Sequence, residues 1–146
     1  MRDAQHLAER VRDAMMADDH ASRGLGIEIA EIAPGRCTAT MTVRRDMLNG
    51  FAICHGGLIT TLADSAFAFA CNSYNELTVA SGFSMDIVAP AKEGDVLTAR
   101  AEVAHRAGRT GVYDIDVRNQ RGERGALFRG RSYTMKGKHI VEPAQG

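Results

Sequence analysis

The sequence predicts an α+β fold in which one antiparallel sheet wraps a long central helix, and three observations carry that expectation. Residues 54–73, CHGGLITTLADSAFAFACNS, form a small and apolar run with one carboxylate, Asp64, in its middle. Two alternating segments precede this run, and four strand-like segments separated by turn residues follow it. A sheet and a helix must each bury an apolar face, and curling the sheet around the helix buries both.

The elements follow in order. Ala4, Leu7, Ala8, Val11, Ala14 and Met15 recur at helical spacing, which predicts a short amphipathic helix over 3–19 that ends before a Ser22-Arg23-Gly24 turn. Ile27 and Ile29 alternate with Gly26, Glu28 and Ala30. After Pro34-Gly35, Cys37, Ala39, Met41 and Val43 alternate with threonines and Arg44, which reads as a hairpin. The irregular stretch RDMLNGFAIC leads to Gly56-Gly57 and a helix over about 56–74, roughly 27 Å long at 1.5 Å per residue. Its small and apolar residues lie all round, so the helix is expected to be enclosed. Strand-like segments then occupy 78–89, 95–105, 110–119 and 124–136, broken at Pro90 with Gly94, at Ala107-Gly108 and at Arg121-Gly122. In the third of them Tyr113, Ile115 and Val117 face one way and Asp114, Asp116 and Arg118 the other, so one face of the sheet is wet. This is the arrangement of the hotdog fold. With no linker, repeat or low-complexity tract, residues 1–146 are expected to form a single domain, and association through sheet edges or faces is expected.

Composition excludes several classes of function. The 18 basic residues balance the 18 acidic ones, so no global field draws the chain to nucleic acid or to an anionic membrane. Cys37, Cys54 and Cys71 are odd in number and share no CxxC spacing, which argues for a reducing compartment. The first twenty residues carry charges throughout, unlike a signal peptide, and 56–75 is too polar for a membrane span, so a cytoplasmic protein is expected. No phosphate-binding glycine motif is present.

The chemistry is expected around Asn49, His55, Gly56, Gly57 and Asp64. Glycines at a helix start let a ligand approach closely, and the first-turn N–H groups have no intrahelical acceptor. A thioester or ester carbonyl placed there would be polarised; alternatively the glycines only allow close packing of the loop. Asp64 lies two turns, about 12 Å, beyond Gly56 and cannot reach a carbonyl held at the start of its own helix. If Asp64 is catalytic, the carbonyl must come from another segment, which points to another subunit. If it is structural, it should be hydrogen-bonded to backbone or to the Thr60 and Thr61 hydroxyls. Cys54 and His55 are sequence neighbours and make a poor nucleophile–base pair. His55 and Asp64 lack a third ligand at any familiar spacing, so no metal is expected. Arginines near the hairpin loops, Arg106 and Arg109 among them, could hold coenzyme A phosphates.

The blocks NGFAICHGGLITTLADSAFAFACNS, SGFSMDIVAPAKEGDVL and GRTGVYDIDVRNQRGERGALFRG closely resemble the PaaI-type hotdog thioesterases of phenylacetate degradation, over about Arg12 to Lys136. The resemblance implies hydrolysis of aromatic acyl-CoA esters, such as phenylacetyl-CoA and its ring-hydroxylated relatives, without a cofactor. It also implies a homotetramer built as a dimer of dimers, with sites at the dimer interface. Carried over by position, Asp64 would be nucleophile or general base, the Gly56 N–H would polarise the carbonyl, and Asn49 and His55 would orient substrate or water. Gly57 would lie against the substrate. The polar residue that some relatives carry on the following strand is ambiguous here among Ser81, Gly82 and Ser84, with Ser84 preferred. A non-catalytic acyl-CoA-binding module and a hotdog hydratase or dehydratase are the rival readings.

Overall fold

The computed structural model describes residues 2–143. Helix α1 (Arg2–Asp18) and a one-turn helix α2 (His20–Gly24) precede the hairpin β1 (Glu28–Ala33) and β2 (Arg36–Thr42). A 3₁₀ turn at Arg45–Met47 leads to α3 (Gly56–Asn72), and β3 (Thr78–Ile87), β4 (Val96–Ala107), β5 (Thr110–Arg118) and β6 (Arg124–Thr134) complete the chain. The six strands form one sheet in the order β1-β2-β4-β5-β6-β3, and every neighbouring pair is antiparallel. This is the hotdog arrangement expected from the sequence. No helix among the described residues is long and apolar enough to cross a membrane.

Period-2 patterning decides which face of the sheet meets α3. Along β5, Tyr113, Ile115 and Val117 are buried toward the helix, and Asp114 stands exposed on the other face. Phe67, at the middle of α3, fills the space under β5 and β6, its ring centroid 5.6 Å from that of Tyr113 and 5.9 Å from that of Phe128. Gly130 faces this ring so closely that a Cβ there would fall 2.7 Å from its carbons. The far end of α3 is tied down by Ser73, whose hydroxyl donates to the Ala70 carbonyl at 2.6 Å and accepts from the Gly35 N–H at 2.8 Å.

Helix α2 differs from the sequence expectation of a turn. Asp19 caps it, accepting from the Ser22 N–H at 3.0 Å, and five residues are too few to show a helical period.

Strand β3 runs back alongside α3. Its start is joined to the end of the helix, where Asn72 Oδ1 accepts from the Thr78 N–H at 2.9 Å. Its end lies over the start of the helix, where a Cβ on Gly56 would fall 2.7 Å from Ile87 Cδ1. Its outer edge pairs with no strand, and Val79, Phe83 and Ile87 are each more than 40% exposed.

Candidate active site

The segment before α3 is a tight loop built on one side chain. Asn49 Oδ1 accepts from the N–H groups of Phe51 at 2.9 Å and Ile53 at 3.4 Å, and the Asn49 N–H donates to the Ile53 carbonyl at 2.8 Å. Ala52 takes a left-handed conformation, φ 61°, to close the turn. Phe51 stands at the tip, 86% exposed. The Asn49 carbonyl group is thus used in shaping the loop, and its amide Nδ2 donates to no described residue.

The loop is anchored where it meets the helix. The His55 N–H donates to the Met47 carbonyl at 2.8 Å, and the Cys54 N–H donates to the Ala91 carbonyl at 2.7 Å. His55 is the N-cap of α3, its Nδ1 accepting from the Gly57 N–H at 3.2 Å. A neutral imidazole that accepts at Nδ1 carries its proton on Nε2, which leaves an exposed N–H donor at the helix start. Of the two glycine amides, Gly57 is occupied by this cap and Gly56 donates to no described residue. The helix start therefore offers the Gly56 N–H, supported by the helix dipole, with the His55 ring beside it.

Asp64 is half-buried and accepts a hydrogen bond from no described residue. The Thr60 and Thr61 hydroxyls donate instead to the Gly56 and Gly57 carbonyls, at 2.8 and 2.9 Å. Neither hydroxyl therefore holds Asp64. Burial pushes the Asp64 carboxyl above the ordinary carboxylate range, and the negative charge of Asp19 adds to the shift. Asp64 shares with Gly57, Thr61 and Ala68 the side of α3 that the sheet does not cover. Within one chain it stays two turns from Gly56, about 12 Å along the axis.

Not every residue singled out in the sequence joins this site. Ser84 pairs in register with Arg129, and Arg129 forks onto Asp114 at 2.7 and 2.8 Å, so Ser84 lies on the outer face of the sheet, away from α3. The bulge between Ala80 and Gly82 resets the alternation along β3 and turns Phe83, Met85 and Ile87 inward. Arg106 and Arg109 flank the β4–β5 turn at the opposite end of the sheet from Gly56. There Arg106 lies over the Tyr74 ring, 3.6 Å from its centroid, and pairs with Glu76 at 3.4 Å. The 17 residues of α3, roughly 25 Å, separate that end from Gly56 in the same chain.

Sequence reasoning missed Ile87 as the wall over Gly56, and missed the polar chain behind Asp64. There Asp19 Oδ2 accepts from the Ser22 hydroxyl at 2.7 Å, and the Ser22 and Ser65 hydroxyls meet at 2.7 Å. The D-x-x-S spacing of Asp19 and Ser22 is a capping signature that could have pointed to it.

Comparisons with known proteins identify the family. Residues 51–126 match the model of the Thioesterase superfamily, a span that starts in the Asn49 loop and takes in all of α3. The chain is 46% identical to the acyl-coenzyme A thioesterase PaaI of Escherichia coli K12, over 90% of this chain and 94% of that protein. The structure of E. coli PaaI superimposes with a TM-score of 0.90, covering 92% of this chain and 97% of that one. A mutant of the phenylacetic acid degradation protein PaaI from Thermus thermophilus is 34% identical with a TM-score of 0.77, covering 80% and 100%. A hypothetical thioesterase from Streptococcus pneumoniae, solved with coenzyme A, is 27% identical with a TM-score of 0.73, covering 77% and 90%. With family model, sequence identity, fold and near-complete coverage in agreement, the chain belongs to the thioesterase superfamily and, within it, to the PaaI-type hotdog thioesterases.

Proposed function

We propose that this protein is an acyl-CoA thioesterase that hydrolyses aromatic acyl-CoA esters, phenylacetyl-CoA and its ring-hydroxylated relatives, to free acid and coenzyme A. The E. coli relative's activity and the coenzyme A held by the Streptococcus relative support the substrate class. The observation that carries the mechanism is the separation of two unsatisfied halves along one helix. Among the described residues the Gly56 N–H at the start of α3 lacks an acceptor and Asp64 lacks a donor, yet neither can reach the other's reactant within the chain.

Two copies of the chain resolve the separation. The thioester carbonyl oxygen sits on the Gly56 N–H of one copy, with the His55 Nε2–H and the Asn49 amide beside it to orient substrate or water. Asp64 comes from the other copy. As a nucleophile, its carboxylate adds to the carbonyl carbon, the Gly56 N–H stabilises the resulting oxyanion, the coenzyme A thiolate leaves, and water cleaves the mixed anhydride. As a base, it takes a proton from the water that attacks the same carbon, and the thiolate again leaves. In either route Asp64 faces the positive start of the other copy's α3, which opposes part of the effect of its burial. Heavy-oxygen water under single turnover separates the routes, since only the nucleophile takes up label.

The open β3 edge with its exposed Val79, Phe83 and Ile87 supports assembly through this strand, and we propose a homotetramer formed as a dimer of dimers. The chain's three free, buried cysteines are in keeping with the cytoplasm, where we place it.

The test is release of free thiol from phenylacetyl-CoA, 3,4-dihydroxyphenylacetyl-CoA and a short aliphatic acyl-CoA. The aromatic esters should be preferred, and Asp64→Asn should lower kcat by roughly 10²–10⁴-fold. Binding of all three esters without turnover would overturn the enzyme reading in favour of an acyl-CoA-binding module.

A further inference from the structure

Behind Asp64, on the side away from the sheet, the junction of α1 and α2 is fastened to α3 by buried hydroxyls. Ser22 is 1% exposed and Ser65 8%. Ser22 spends its one hydroxyl proton on Asp19 Oδ2 at 2.7 Å, so the proton in the 2.7 Å contact between the two serines belongs to Ser65. A serine in mid-helix ordinarily donates back to the carbonyl four residues earlier. Here it is turned outward to carry the Asp19–Ser22 pair, at the residue next to Asp64. Asp19 is itself half-buried and meets no cation among the described residues.

We propose that Asp19 is a positioning residue for thioester hydrolysis: anchored to α3 through Ser22 and Ser65, it holds a second carboxylate behind Asp64 and tunes that group for reaction. The proposal rests on the reading of Asp64 as the catalytic carboxylate. Like charges at close range disfavour the ionised form of each, and a base of raised pKa gains driving force for proton transfer while remaining ionised near neutral pH. The direction of the Asp64 shift and the contribution of Asp19 to it agree with this. Within one chain the other groups around Asp64 do not compete, and the start of the other copy's α3 is the same in wild type and in the Asp19 variants. Burial pushes the Cys71 thiol, two turns further along α3, up to about 12, so it stays neutral. Asp18, His20 and Arg23 are exposed, and Arg23 donates to the Ala17 carbonyl at 3.1 Å.

The experiment compares wild type with Asp19→Asn and Asp19→Ser, both of which keep an oxygen to cap α2 and remove the charge. In the pH profile of kcat/KM for phenylacetyl-CoA, the acid limb should move to lower pH in both variants. KM at the plateau should stay within about twofold and kcat fall less than about tenfold, while Asp19→Glu restores the wild-type limb. A role confined to capping would leave the limb in place, which overturns the proposal. Carboxyl ¹³C NMR of the assembled protein gives the Asp64 titration midpoint without any turnover. A lower midpoint in Asp19→Asn supports the proposal even if no ester is hydrolysed, and an unmoved midpoint refutes it whatever the activity.

Discussion

At the scale of the residue, the role proposed for Asp64 sets function against stability. Its carboxyl titrates above the ordinary carboxylate range in the fold and within that range when unfolded, so the folded state binds its proton more tightly. Stability is unaffected by this group below the unfolded value and is lost as pH rises through the folded one. Asp64→Asn cannot ionise. Its Tm should therefore exceed that of wild type at pH 7, and the gap should close as the pH is brought down below about 4, as differential scanning calorimetry would show. Part of this was legible in the sequence, because a lone carboxylate in an apolar run either finds a partner or has work to do. What could not be read was whether Thr60 and Thr61 would serve it. Their hydroxyls turn back to the carbonyls four residues earlier, a choice made by rotamer rather than by residue type.

At the scale of the element, α3 was the most legible part of the chain, and β3 the least. The helix announces itself by Gly56-Gly57 at its start, by length, and by its all-round apolar surface. β3 hides its facing, because residues on both sides of the strand are exposed and the bulge at Ala80/Gly82 shifts the phase in mid-strand. Without that bulge, Ser84 would fall on the site side, which is where simple alternation puts it. Arg106 and Arg109 group with the site only because basic residues cluster late in the sequence, and the register of β4 with β5 reveals at which end of the sheet they lie. The fit between α3 and the sheet is tight where Phe67 meets Gly130. Phe67 is 1% exposed and flanked by Tyr113 and Phe128, so its ring cannot retreat from an added methyl group. Gly130→Ala should destabilise the protein by about 1–3 kcal/mol, read as a lowered urea midpoint.

At the scale of the whole molecule, the proposal of a shared site makes a prediction that no single chain could satisfy. Asp64→Asn and His55→Ala damage opposite halves, so each variant alone should be severely impaired. When the two are unfolded together and refolded at equal concentration, half of the dimers pair unlike chains, and in these one site has both halves intact. Activity should return to about a quarter of wild type, assayed as thiol release. If instead both halves served one chain, the mixture would be no more active than its components. The fold itself was readable from the order of elements because each must bury an apolar face. The proposed assembly rests on the spacing of about 12 Å and on the open edge of β3.

The distance between Gly56 and Asp64 also bears on when the protein becomes active. On the shared-site proposal, a newly made chain can be fully folded and still inert, since its polarising amide and its carboxylate sit too far apart to act on one bond. Hydrolytic capacity then switches on at the second-order encounter of two copies. It scales with the square of chain concentration when chains are scarce, so a cell making little of this protein leaves its thioester pool almost untouched.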